Sequence, residues 1–118
     1  IVHLSDPVLD ELNALAGPAQ HALVFTTTGS TPVSGFSKAK ARLDQFSGVS
    51  NWRLHDLRRS LATVATEELG FEPVVVDRIL NHVNGSVKGI AAVYQKGQYL
   101  EKRKTVLDVW AEYIQTPT

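Results

Sequence analysis

The stretch LHDLRRSLATVA, residues 54–65, constrains the fold more than any other segment. Leu54, Leu57, Leu61, Val64 and Ala65 recur at helical spacing, which predicts a helix with one face turned to a core. At roughly 100° per residue, Arg58 falls about 40° from Leu54 and about 60° from Leu61, inside that apolar stripe. Arg59 falls about 140° from Leu54, outside it. A core-facing helix that carries an arginine within its buried stripe needs a reason for it.

The remaining segments surround this helix with others. IVHLS at the start alternates and reads as a strand. SDPVLDELNALAG follows as a helix, with Ser5 or Asp6 as N-cap, Pro7 in the first turn and Gly17 past its end. HALVFTT, residues 21–27, is a short β-type run, and TGSTPVSG is a loop of turn formers. Residues 35–47 suit an amphipathic helix with Phe36, Ala39, Leu43 and Phe46 on one side. The helix that begins in LHDLRR runs to Gly70. Pro73 then starts a short helix that ends around Asn81 to Gly85. SVKGIAAVYQKG is predicted to form a further helix with Val87, Ile90, Ala91 and Tyr94 on one face, broken or bent at Gly97. QYLEKRKTVLDVWAEYI closes the chain as a last helix. The expected fold class is mainly α with a small β edge (α+β), in a single domain over residues 1–118.

Composition narrows the function classes. With 43% hydrophobic and 20% charged residues, the chain has the balance of an ordinary globular domain. It contains no cysteine, which excludes disulfides and thiolate metal sites. Its four histidines, His3, His21, His55 and His82, form no close metal-binding pair, so no metal or other cofactor is expected. No apolar run approaches the roughly 20 residues that span a bilayer, and the start lacks a signal-peptide pattern. A cytoplasmic location without membrane contact is the expectation. The net charge is zero, yet residues 53–104 hold nine Lys or Arg against six Asp or Glu. A local basic surface of that kind is compatible with phosphate contacts without demanding them.

Four residues could carry chemistry, and each has a plainer reading beside it. Arg58 either lays its stem over apolar surface with its head in water, or sits at a cleft floor to receive an oxyanion bidentately. His55, one turn earlier at i−3, either bonds backbone at a helix start or works beside Arg58 near neutral pH. His82 lies in LNHVNG, a turn after an apolar helix, where a polar residue is either exposed or functional. Tyr94 lies on an apolar stripe, as a core tyrosine or as a nucleophile, and Tyr99 and Tyr113 compete with it. No Gly-rich phosphate loop, GxSxG elbow or metal-binding carboxylate pair is present.

Taken in order, HDLRR, LNHVNG and IAAVYQKGQYLEKRKTVLDVWAEY resemble the C-terminal catalytic domain of the tyrosine recombinases, the phage-type integrases. That family's active site combines an H-x-x-R helix, a His or Trp after an L-G/N-H turn, and a tyrosine beyond it. The matching residues are His55, Arg58, His82 and Tyr94, with Tyr94 preferred to Tyr99 because the family's nucleophile follows a small apolar stretch such as IAAVY. IVHLSDPVLDELNAL and LVFTT are similar to the family's flanking segments, so the resemblance covers essentially the whole chain. It implies part of the catalytic-domain fold of the DNA breaking-rejoining enzymes and a double-stranded DNA substrate, with no small-molecule substrate. It also implies a full-length protein that acts as a tetramer on paired sites.

The chemistry it implies is attack by the Tyr94 hydroxyl on a DNA phosphodiester, leaving a 3′-phosphotyrosyl link and a free 5′-hydroxyl. Arg58 would clamp the phosphate, His55 assist proton transfer, and His82 donate to a phosphate oxygen. Arg58 is then expected to be largely buried beside His55, His82 and Tyr94, with Arg59 outward. The family also uses an earlier arginine and a hairpin lysine, normally upstream of the VHLS segment, and no residue here matches either. The 118 residues alone are therefore expected to be inactive or nearly so. Alternatives are a type IB topoisomerase, a non-catalytic integrase remnant, or a helical DNA-binding module.

Overall fold

The computed structural model describes residues 1–15, 22–82 and 90–116, with side chains at 90–98 outside that description. Among the described residues five α-helices follow one another: α1 (Asp6–Leu15), α2 (Phe36–Ser47), α3 (Leu54–Thr63), α4 (Pro73–Ile79) and α5 (Ile90–Gln115). A π-helical segment, Val64–Glu68, continues α3. The core lies where α3, the π segment, α4 and α5 meet, and consists of Ala65, Val75, Val76, Leu80 and Val106. Leu61, Ala62, Phe71, Ile79 and Tyr99 flank it. Helix α1 lies on α5, and no helix among the described residues is long and apolar enough to cross a membrane.

The expected β edge is absent: no strand forms among the described residues. Strand propensity is realised only when backbone groups find a ladder partner, and neither apolar run finds one. Ile1 and Val2 are exposed, and the segment is tied to α5 by side chains instead. His3 Nε2 lies 2.7 Å from Asp108 Oδ1, and Arg103 donates to the Ile1 carbonyl at 2.9 Å. Residues 22–27 are bends that run into a loop closed by threonine hydroxyls. Gly29 N–H donates to Thr26 Oγ1, Thr31 N–H donates to Thr28 Oγ1, and Val33 N–H donates to the Phe25 carbonyl. His21 and Gly17 lie outside the described residues. The architecture is thus helical, and the α+β expectation, with the partial breaking-rejoining fold it implied, is corrected.

Helix boundaries fall close to their sequence signals. Pro73 opens α4 after Glu72 as N-cap, because a proline ring presets the helical φ and its missing N–H is an orphan there anyway. Gly48, at φ 69°, closes α2 with its N–H on the Asp44 carbonyl. Two departures are informative. Helix α5 is continuous through Gly97, so the two helices expected at the C-terminal end are one. A single glycine costs about 1 kcal/mol in a helix interior, which a helix anchored by packing absorbs. Its Val106 and Ala111 are buried within this chain. The apolar stripe that begins in α3 is fully enclosed only beyond it, at Ala65 in the π segment, while Leu61 is partly covered and Leu54 and Leu57 are exposed. Phe36, Leu43 and Phe46 of α2 are also exposed, and none of that helix's residues is buried.

Candidate functional site

The first turn of α3 is set by Asp56. Its Oδ2 accepts the Arg53 N–H at 2.9 Å, satisfying a donor that the helix start would otherwise leave open. That bond, with the neighbouring Arg59 and Arg53 cations, holds the Asp56 carboxyl below its ordinary value. Arg59 is exposed and leans back toward Asp56 Oδ1 at 3.4 Å. This geometry presents His55 at the exposed surface of the same turn.

Arg58 is half-buried and donates from Nη2 to the carbonyl of Leu80, the C-cap of α4, 22 residues away. The two arginines therefore divide as the helical wheel predicts, Arg58 inward and Arg59 outward. Arg58 is less deeply enclosed than expected, because the apolar residues on either side of it along the stripe, Leu54 and Leu61, are themselves exposed or only partly covered. One of its five N–H donors is engaged by Leu80, at the C-terminal end of a helix where a cation also complements the dipole.

The turn that Arg58 reaches is a Schellman motif. The His82 N–H donates to the Asp77 carbonyl at 2.9 Å and the Asn81 N–H to the Arg78 carbonyl at 3.2 Å. The motif needs a left-handed residue at its hinge, and Asn81 supplies it at φ 53°. The Asp77 and Arg78 carbonyls are thereby satisfied, and the His82 backbone is fixed one residue beyond the hinge. The side chain of His82 folds back as well: its Nδ1 lies 3.1 Å from Asp77 Oδ1, with both side chains about half exposed.

The structure thus brings Arg58 to the LNH turn and places His55 one helical turn from Arg58. Tyr94 belongs to α5, and its side chain lies outside the described residues. The competing tyrosines have other partners. Tyr99 packs against the core with the Arg78 guanidinium 6.0 Å from its ring centroid. Tyr113 donates its hydroxyl to Glu68 Oε2 at 2.7 Å and stacks on Trp110. The Glu68 bond pushes the Tyr113 phenol above its ordinary value. No cluster of His, Asp or Glu suited to a metal ion occurs among the described residues.

Asp77 is the site residue that sequence reasoning missed. Residues at i and i+5 are not neighbours on a helix, so the DRILNH spacing gives no hint of a contact. Only the left-handed turn at Asn81 folds His82 back onto the preceding turn, and Asn before the histidine is the signal that was available.

No family profile and no solved structure matches the chain. The chain is similar to the prophage integrase IntA of Escherichia coli (strain K12), with 34% identity over 56 residues, or 48% of this chain. The match spans 13% of that relative's length, so the likeness is to one segment of an integrase.

Proposed function

We propose that these residues belong to a site-specific DNA recombinase of the phage-integrase type, acting on double-stranded DNA. Tyr94 Oη attacks a backbone phosphorus, the P–O bond to the 5′-oxygen breaks, and that oxygen leaves as a protonated 5′-hydroxyl. The ester energy is retained in a 3′-phosphotyrosyl bond, so a second 5′-hydroxyl reverses the step. Arg58 offers its remaining N–H groups to the charged phosphate oxygens, which is the recognition that a planar fork performs best. His55 serves proton transfer from its exposed position one turn before Arg58. His82 meets a phosphate oxygen from the turn that Arg58 already contacts.

The observation that carries this reading is the bond from Arg58 to the Leu80 carbonyl. It joins the H-x-x-R helix to the LNH turn across 22 residues of sequence, and the partial likeness to a prophage integrase supports it. The test is covalent trapping of the complete polypeptide in which these residues occur, on a nicked suicide DNA duplex. Wild-type protein is expected to form an adduct that survives denaturation, and Tyr94→Phe to form none. An adduct that persists in Tyr94→Phe overturns the assignment of the nucleophile, and absence of any adduct in the wild type overturns the reaction.

A further inference from the structure

We propose that Asp77 is a positioning residue for His82, and that the two form a carboxylate–imidazole dyad built into the C-terminal cap of α4. The inference rests on the recombinase reading for its function, though its geometry stands independently. A carboxylate oxygen can only accept a hydrogen bond, so the contact between Asp77 Oδ1 and His82 Nδ1 at 3.1 Å places a hydrogen on Nδ1. Nε2 is then the nitrogen left to meet a substrate. It is an acceptor in the neutral ring and an N–H donor in the cation.

Three further contacts hold the dyad in place. The Schellman bond from the His82 N–H to the Asp77 carbonyl pairs the same two residues through their backbones. The Asn81 N–H on the Arg78 carbonyl closes the hinge between them. Arg58 holds the Leu80 carbonyl, two residues before His82. The ring is thereby held at both its backbone and its Nδ1 edge, while about half of the side chain remains open to solvent. An unassisted surface histidine would sample several rotamers and both tautomers. Ordering one of each beforehand is what an imidazole that must meet a phosphate or a proton needs.

Two measurements separate the dyad from its use. The first is long-range ¹H–¹⁵N correlation of the histidine rings in the ¹⁵N-labelled chain at about pH 8.5, well above the ordinary histidine value. The His82 signals are assigned by their loss in His82→Gln. The Nδ1–H tautomer is expected to dominate at His82 in the wild type and in Asp77→Asn, whose side-chain carbonyl still accepts. In Asp77→Ala the ring is expected to revert to the Nε2–H form. A dominant Nε2–H tautomer in the wild type overturns the dyad.

The second is the rate of covalent trapping by the complete polypeptide. Asp77→Ala is expected to slow it by about tenfold or more, as loss of a histidine's orienting partner does elsewhere, and Asp77→Asn is expected to restore most of it. An unchanged rate in Asp77→Ala overturns the positioning role. If His82→Ala also traps at the wild-type rate, the error lies in the role given to His82 under the recombinase reading. An intact Nδ1–H tautomer would then still stand.

Discussion

Arg58→Ala removes the N–H that the Leu80 carbonyl accepts and, on the recombinase reading, the fork that binds the phosphate. The two losses differ in size and in assay. A hydrogen bond from a charged donor contributes about 1.5–3 kcal/mol. Arg58 is only half-buried, so water replaces part of it, and about 1–2 kcal/mol is expected to be lost. With a urea slope of about 1.5 kcal/mol/M, the unfolding midpoint followed by helical circular dichroism should fall by about 0.7–1.3 M. Arg58→Lys retains one N–H that reaches the same carbonyl, so its midpoint should stay within about 0.3 M of wild type. Trapping on the suicide duplex should respond differently. Arg58→Ala is expected to lose about 10²–10³ in rate, and Arg58→Lys to lose at least about tenfold, because a single ammonium cannot grip two phosphate oxygens in parallel. A lysine variant that traps at the wild-type rate refutes the bidentate clamp. An alanine variant with an unchanged midpoint refutes the structural bond to Leu80.

Other outcomes are equally direct. Val106 is almost fully enclosed, and Val106→Ala deletes two buried methyl groups, so denaturation should show a loss of about 1.5–3 kcal/mol. Leu57→Ala, at an exposed position of the α3 stripe, should cost less than about 0.5 kcal/mol. Asn81→Ala removes the short polar side chain that makes the left-handed hinge tolerable and should cost about 1 kcal/mol, whereas Asn81→Gly, which has no β-carbon to crowd it, should be neutral or stabilising in the same titration. The Asp108 carboxyl is held below its ordinary value of 3.8 by hydrogen bonds from Lys104 and His3. A depressed carboxyl stabilises the fold above its unfolded value, and that stabilisation is lost as pH falls through the lower folded value. The stability difference between wild type and Asp108→Asn should therefore shrink below about pH 4 in acid melts.

Residues 54–65 show what periodicity can and cannot disclose. The wheel separates Arg58 from Arg59 correctly, because a helix fixes side-chain direction regardless of what lies opposite. It says nothing about how far a neighbouring element extends, so it could not foresee that Leu54 and Leu57 are left exposed. The same limit explains IVHLS and LVFTT, where β-type residues were legible and the missing pairing partner was not. Gly97 reads as a break in any local scan, yet α5 passes through it because its later turns are anchored on the core at Val106 and Ala111. At the candidate site, Arg58 and His82 are visible as a pattern. Their connection through the Leu80 carbonyl and the place of Asp77 depend on backbone turns that residue spacing does not encode.

The π segment at Val64–Glu68 gives the stretch between Arg58 and His82 a definite phase. In it the Leu69 N–H passes over the usual acceptor to reach the Val64 carbonyl, and the Phe71 N–H reaches back to Ala65. One residue more than an α-turn requires is taken up there, so the chain leaves about 100° short of where an unbroken α-helix of equal length would release it. That phase, together with the left-handed turn at Gly70, sets the direction in which the chain leaves for α4 and the LNH turn beyond it. Two chains could share both motifs and the number of helical turns between them, yet differ by one residue in this segment. Because the wider turn absorbs the surplus residue, they would present the histidine to the same flank of the H-x-x-R helix.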